Sequence, residues 1–213
     1  MSANFSFRPD TWDHIIFDCV NKHNEYRLPL TYKADDIIID IGSHIGSFAY
    51  ACLTRGAGKV YAYEAMQANY DLAVQNLTQF DDKVEVQHKA VWRSDKQVDQ
   101  LRFSESTDSK NTGGGNVWSG EGSSVPAISF DNVLESINRP IKLLKLDCEG
   151  SEYPILFTSK NLNMIESICG EYHEFGGYYD KNVIPEPFKV DGYDKYTIEE
   201  LFNFLTRQGY DVV

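Results

Sequence analysis

The chain has 213 residues, 42% of them apolar, and a formal net charge of −12. That length suffices for one domain with a full core, with or without an appended arm. The acidity argues against a phosphate-backbone partner such as nucleic acid, which is gripped by clustered Lys and Arg, and no apolar run approaches the roughly 20 residues that span a bilayer.

In chain order, Asp10–His23 has the spacing of an opening helix, with Trp12, Ile15, Ile16, Cys19 and Val20 on one face and Asp10 or Thr11 as its cap. Residues 1–35 are expected to form a helical arm and 36–213 a single domain. Asp36–Gly46, DIIIDIGSHIG, reads as a buried strand that stops in a tight turn and opens into a helix over Phe48–Thr54, ended by Gly56 and Gly58. Lys59–Glu64 is a strand. Asn69–Thr78 is a helix with Tyr70, Ala73, Val74 and Leu77 inward, and Val84–Val91 is a third strand. Such a βαβαβ series predicts a mostly parallel, doubly wound sheet covered by helices.

The order then breaks. Ser104–Ser124 is rich in Ser, Gly, Asn and Thr without periodicity, and Val98–Phe103 and Val125–Ile128 flank it as short strands. Together they predict an excursion over about 97–128, tipped by a loop that is either functional or disordered. Phe130, Val133, Leu134 and Ile137 mark a helix, Ile141–Asp147 a strand, Glu152–Ser159 a helix capped by Ser151, and Ile165–Tyr172 a strand. Gly176–Lys195 is irregular and aromatic. Thr197-x-x-Glu200 is a capping box for a last helix that buries Ile198, Leu201, Phe202 and Leu205; Gly209 ends it and Tyr210–Val213 begins a strand.

The turn Gly42-Ser43-His44-Ile45-Gly46 carries the first chemistry. A glycine turn lets backbone N–H groups approach a ligand, and Glu64 at the end of the next strand stands where a ribose diol is bound in nucleoside-binding α/β folds. Dinucleotide sites prefer G-x-G-x-x-G, whose middle glycine admits a pyrophosphate; here His44 fills that place. Asp40 would repel a phosphate and suits a cation or an amino group. The pattern D-x-G-x-x-x-G resembles the first motif of class I S-adenosylmethionine-dependent methyltransferases. A nucleotide-dependent oxidoreductase of the NAD type and a non-catalytic S-adenosylmethionine-binding protein are the alternatives.

Leu143–Leu156, LLKLDCEGSEYPIL, carries the second. Asp147 and Glu149 alternate at the end of a strand and are expected to share a side, Glu152 opens the next helix, and Glu171-Tyr172-His173 closes the following strand. If the strands are neighbours, carboxylates and an imidazole meet at the carboxyl edge of the sheet. The plainer reading is that Glu149 and Glu152 cap the helix and pair with Lys145 or Lys142. Cys19, Cys52, Cys148 and Cys169 form no C-x-x-C pair and the histidines show no ligand spacing, so free thiols in a reducing cytoplasm are expected.

Taken together, DIGSHIGSFA, YAYEAMQANYDLAVQNL and LKLDCEGSEYPIL resemble the FkbM-type methyltransferases over about Asp36 to Gly176. The resemblance implies a Rossmann-like class I methyltransferase fold and methyl transfer from S-adenosylmethionine to a hydroxyl, often of a sugar or polyketide. It implies that Asp40, Gly42, Ser43 and Gly46 hold the methionine part, Glu64 takes the ribose, and Ala65, Ala90 and Val91 lie near adenine. His44, at a position where the family often has a smaller or amide residue, is a candidate wall of the cofactor pocket, and Asp147 is a further cofactor-binding candidate. Asp147, Glu149 and Glu152 match the family's later acidic element. Ala65 and Ala68 stand where the family has prolines. The fold usually closes with an antiparallel strand pair, which here looks incomplete: either the chain is shortened or the last strand comes from elsewhere.

For an alcohol acceptor the reaction needs a base. His173 is the first candidate, and Glu149 or Asp147 the second. Asp147 and Glu149 also offer oxygen ligands for a divalent metal, which is allowed but not required. Tyr178, Tyr179, Phe188, Tyr193 and Tyr196 would form an acceptor lid or, equally, an ordinary aromatic cluster.

Overall fold

The computed structural model describes residues 5–118, 120–174, 184 and 186–212. The chain opens with α1 (Asp13–Asn21), which starts later than the apolar spacing suggests, with Trp12 as N-cap and no side-chain cap bond. Thr11 instead accepts the Asp13 N–H through Oγ1 at 3.3 Å. Next come β1 (Ile37–Ile41), α2 (Ser47–Thr54), β2 (Lys59–Glu64), α3 (Gln67–Leu77) and β3 (Val84–His88). Then come β4 (Ala90–Trp92) and, bounding the excursion, β5 (Gln100–Phe103) and β6 (Ser123–Ser129). The remainder is α4 (Phe130–Ile137), β7 (Leu143–Leu146), α5 (Glu152–Thr158), β8 (Ile168–Gly170) and α6 (Ile198–Arg207).

Five strands form one sheet in the order β3-β2-β1-β7-β8, and every pairing is parallel. All five residues of β1 are buried, as expected of a central parallel strand covered on both faces. The chain winds outward from β1 in one direction through β2 and β3, then returns beside β1 with β7. Between the carboxyl ends of β1 and β7 the loops therefore diverge and leave a crevice, the place where open α/β sheets bind ligands.

Several sequence expectations need correction. Val84–Val91 is two strands: Lys89 N–H closes back on Gln87 O at 3.0 Å, and the chain leaves the main sheet there. β4 pairs in parallel with β6, and β6 pairs antiparallel with β5, in a separate three-stranded sheet. β8 is shorter than the expected Ile165–Tyr172, with only an isolated bridge from Ile141 to Ile165 before it. Ser151 makes no cap bond. Val74 and Phe202, expected inside, are each 41% exposed. Residues 210–212 form no strand; the Tyr210 hydroxyl donates to Leu162 O at 2.8 Å and lies 3.1 Å from Ile165 O, tying the tail down beside the start of the β8 segment.

The aromatic stretch is core where it is described. Phe188 packs edge-on against Trp92, Tyr196 stacks on Tyr153, and Tyr193 stacks on Phe157. Phe188 and Tyr196 are buried, so the lid reading fails for these two residues, and Tyr193 is partly buried against the core. Tyr178 and Tyr179 lie outside the described residues. Among the described residues no helix is long and apolar enough to cross a membrane.

Candidate functional site

Where β1 ends, Gly42 adopts φ +76°, and a Cβ on it would lie 1.8 Å from the carbonyl oxygen of Asp147. Only glycine lets the turn after β1 cross this close to the loop after β7. Gly46 has φ +89°, and a Cβ there would press on the Leu77 side chain at 2.9 Å. The N–H groups of Gly42 and Ser43 both donate to Tyr63 O at 3.0 Å, so β2 holds the turn and these two donors do not face the crevice free. His44 has φ 52° and donates its backbone N–H to Glu64 Oε2 at 2.8 Å. Glu64 Oε1 accepts from Met66 N at 2.9 Å and from Asn69 Nδ2 at 3.4 Å. Burial raises the Glu64 pKa, and these donors oppose it.

A second buried carboxylate organises the other loop. Glu152 accepts from Cys148 N at 2.8 Å and from Gly150 N at 2.9 Å, which pins a loop in which Glu149 sits at φ 53°. The strand β7 has already ended at Leu146. Asp147 and Glu149 thus reach the crevice from a curled loop, and not by strand alternation.

Lys145 lies beneath this loop, almost fully buried. Its Nζ donates to Gly42 O at 2.7 Å and sits 3.4 Å from Asp40 Oδ1 and 3.6 Å from Asp147 Oδ2. Burial opposes its charge, but Asp40 and Asp147 hold its pKa well above the ordinary lysine value. Lys142 pairs with Glu166. The expected pairing of Glu149 or Glu152 with either lysine is absent, and both acids face His173. Its Nδ1 lies 3.1 Å from Glu152 Oε1 and its Nε2 3.6 Å from Glu149 Oε2. Burial lowers the His173 pKa, yet Glu152, Glu149 and Asp147 outweigh it and push it up to about 9. Glu149 is pushed up to about 7, by burial first and by Asp147, Glu152 and Glu171.

These elements enclose a cavity of about 320 Å³. Its wall includes Gly42, Ser43, His44, Glu64, Ala65, Ala90 and Val91, together with Asp147 and Glu149. Two of the predicted cofactor residues stand outside the wall: Asp40, wholly buried in β1 against Lys145, and Gly46, packed on α3. His173 stands behind Glu149, also outside it. The apolar face of α1, through Trp12, Ile15, Ile16, Cys19 and Val20, forms another wall. Trp12 and Ile15 are 42% and 49% exposed, so that face serves the cavity more than the core.

One cluster had no sequence signal. Asp13, with no exposed surface, takes Arg8 Nε at 2.9 Å, Arg8 Nη2 at 3.0 Å and Thr112 Oγ1 at 2.7 Å. His44 Nε2 lies 2.8 Å from Thr112 Oγ1 and 3.4 Å from Asp13 Oδ1. Asn69 Nδ2 donates to Thr112 O at 2.9 Å, and Trp12 N to Lys110 O at 3.0 Å. The N-terminal segment, the Gly/Ser-rich excursion and the Gly42 turn are latched together over one end of the cavity. Burial would raise the Asp13 pKa, but hydrogen bonds from His44, Arg8 and Thr112 hold it far below the carboxylate range.

A parallel sheet with a glycine turn, an acid at the end of β2 and a crevice at the β1/β7 divide is the architecture of the cofactor-binding α/β class. Residues 40–212 match the family model of the methyltransferase FkbM domain, and the chain belongs to that family of methyltransferases. No curated protein matches the chain. Among solved structures it is similar to a protein of Pyrococcus horikoshii provisionally described as an RNA methyltransferase. Identity is 13%, over 64% of this chain and 48% of that one, with a TM-score of 0.35, so the chain spans about half that protein's length. An rRNA methylase from Streptococcus thermophilus is 12% identical over 96% of this chain and 81% of its own, with a TM-score of 0.42. At such scores neither likeness bears on the acceptor, and the assignment rests on the family match.

Proposed function

We propose that the protein transfers a methyl group from S-adenosylmethionine to a hydroxyl of a small molecule, a sugar or natural product. The observation that carries this reading is the cavity at the β1/β7 crevice, walled by the Gly42–His44 turn, Glu64 and the Asp147–Glu149 loop. The wall also holds buried polar atoms without a partner among the described residues, Ser43 Oγ, His44 Nδ1, Ser47 Oγ and Asn69 Oδ1. Such atoms are costly unless a ligand satisfies them, which fits a cofactor dense in hydroxyl, amino and carboxylate groups.

In this reading Ser43 and Ser47 take polar groups of the methionine end, and Glu64 with Asn69 takes the ribose hydroxyls. Asp40 acts at one remove, by holding Lys145 and through it the Gly42 carbonyl. When bound, S-adenosylmethionine supplies a sulfonium methyl that moves to the acceptor oxygen as the C–S bond breaks, leaving S-adenosylhomocysteine. Glu149, in the cavity wall, accepts the hydroxyl proton; His173 stands behind it, held by Glu152. Much of the acceleration comes from alignment of the two reactants, worth about 7–11 kcal/mol in favourable cases.

Calorimetric titration with S-adenosylmethionine and with NAD(H), followed by a methyl-acceptor screen of sugars and natural-product alcohols, tests the reading. Glu64→Ala is expected to weaken cofactor binding about 10–100-fold, the loss of one or two hydrogen bonds to an ionised group. Glu149→Gln is expected to lower kcat about 10²-fold or more with the cofactor Kd little changed. Binding of NAD(H) in place of S-adenosylmethionine would sink the cofactor assignment, and full turnover by Glu149→Gln the choice of base.

A further inference from the structure

The loops after β7 and β8 bring Asp147, Glu171 and His173 together, each offering one donor atom within 4.8 Å of the others. Asp147 lies well before Glu171 and His173 in sequence, and the pairing of β7 with β8 brings the two loops side by side. Two of the three are oriented by groups outside the trio. Glu152, 1% exposed, holds His173 Nδ1 at 3.1 Å while its oxygens also take the Cys148 and Gly150 N–H groups. The Tyr26 hydroxyl donates to Asp147 Oδ2 at 3.1 Å. His173 Nε2 is thereby left facing Glu149 Oε2 at 3.6 Å and Glu171 Oε2 at 4.0 Å, too far for hydrogen bonds. An imidazole fixed through one nitrogen by a buried carboxylate, with the other turned toward carboxylates, is the arrangement by which proteins orient a metal-ligating histidine.

We propose that Asp147, Glu171 and His173 form a divalent-cation site at the edge of the cavity. Two carboxylate oxygens and one imidazole nitrogen, with no thiolate, suit Mg²⁺ or Mn²⁺ better than the thiolate-seeking metals. Lys145 offsets part of the charge on Asp147, but Glu25, Glu149 and Glu171 leave the surroundings acidic. Ligand distances of about 2.0–2.2 Å require the three donors to draw closer. Glu171 is the exposed member of the trio. Three protein ligands leave open positions facing the cavity. Resting on the methyl-transfer reading, the cation would bind the acceptor hydroxyl there and make it more acidic, while Glu149 takes the proton.

The test is a Mn²⁺ titration of the chain, read by the electron paramagnetic resonance of the free ion, with neither cofactor nor acceptor present. One saturable Mn²⁺ per chain, displaced by excess Mg²⁺, is expected, and Glu171→Gln and His173→Gln should each weaken it at least tenfold. Glu171 is exposed, so its variant should fold; a melting curve checks this. No saturable binding by the unaltered chain, or equal binding by both variants, overturns the site. S-adenosylmethionine binding is measured on the same metal-free samples and should persist in Glu171→Gln. Mn²⁺ binding without cofactor binding leaves the cation site standing and removes the cofactor reading; the opposite result removes the site alone.

Discussion

Gly42 shows how a single residue couples the two halves of the site. Its missing Cβ is what allows the β1 turn to pass against the Asp147 carbonyl, where 1.8 Å would separate the atoms of any larger residue. Gly42→Ala is therefore expected to cost about 3 kcal/mol or more, through the positive φ and the overlap together. Thermal or urea unfolding reads this directly. The need for glycine at this position was legible in the sequence, because a tight turn after a buried strand demands one. Its partner was not, since Asp147 lies 105 positions further along the chain than Gly42. Asp40 illustrates the converse. An acid beside the glycine turn suggests a ligand's amino group, yet the β1 pleat points it into the core, where Lys145 supplies the opposite charge.

Among elements, α1 departs most from its sequence reading. Its apolar spacing is real, but spacing says only that the residues share a face, and tertiary placement turns that face to a cavity. What secures the helix is Asp13, read from sequence only as part of an ordinary opening helix. Asp13→Ala strands Arg8, Thr112 and His44 and is expected to destabilise the chain by about 3 kcal/mol, in the range for breaking a buried pair. The same pair gives a pH signature. Because the folded pKa of Asp13 lies below its unfolded value, its contribution is complete at neutral pH. It is lost only as pH falls below about 4 toward the folded value. The stability gap between the unaltered chain and Asp13→Asn should thus close in acid. A gap that widens in acid would contradict the latch.

For the molecule as a whole, the five-stranded parallel sheet is the scaffold that fixes both loops at one edge. A ligand bridging the Gly42 turn, Glu64 and the β7 loop binds only the folded chain and stabilises it by mass action, about 2.7 kcal/mol at a hundred times Kd. Differential scanning fluorimetry should show a rise in Tm with S-adenosylmethionine, and none with NAD⁺. The local patterns for this scaffold were all present in the sequence: four apolar residues at Ile37–Ile39 and Ile41 around Asp40, the strand closing on Glu64, and Leu143–Leu146 before the acids. Strands and helices were found within a few residues where periodicity was strong. The errors gathered where periodicity was weak, at Lys89, at the short β8 and in the tail after Gly209.

The sequence by itself determined the parallel α/β scaffold, the glycine turn after β1, the acid at the end of β2 and membership of a methyltransferase family, because each is written in a contiguous run with its own period or spacing. Tertiary structure alone decided which acids reach the cavity. Burial and pleat direction took Asp40 out of the wall, Glu152 bent its loop so that Glu149 entered it, and the parallel pairing of β7 with β8 set His173 and Glu171 beside Asp147. It also decided that Asp13 and Thr112, 99 residues apart, would hold one end of the cavity shut. Contacts of that range depend on how elements pack, and side-chain chemistry read along a chain carries no record of them.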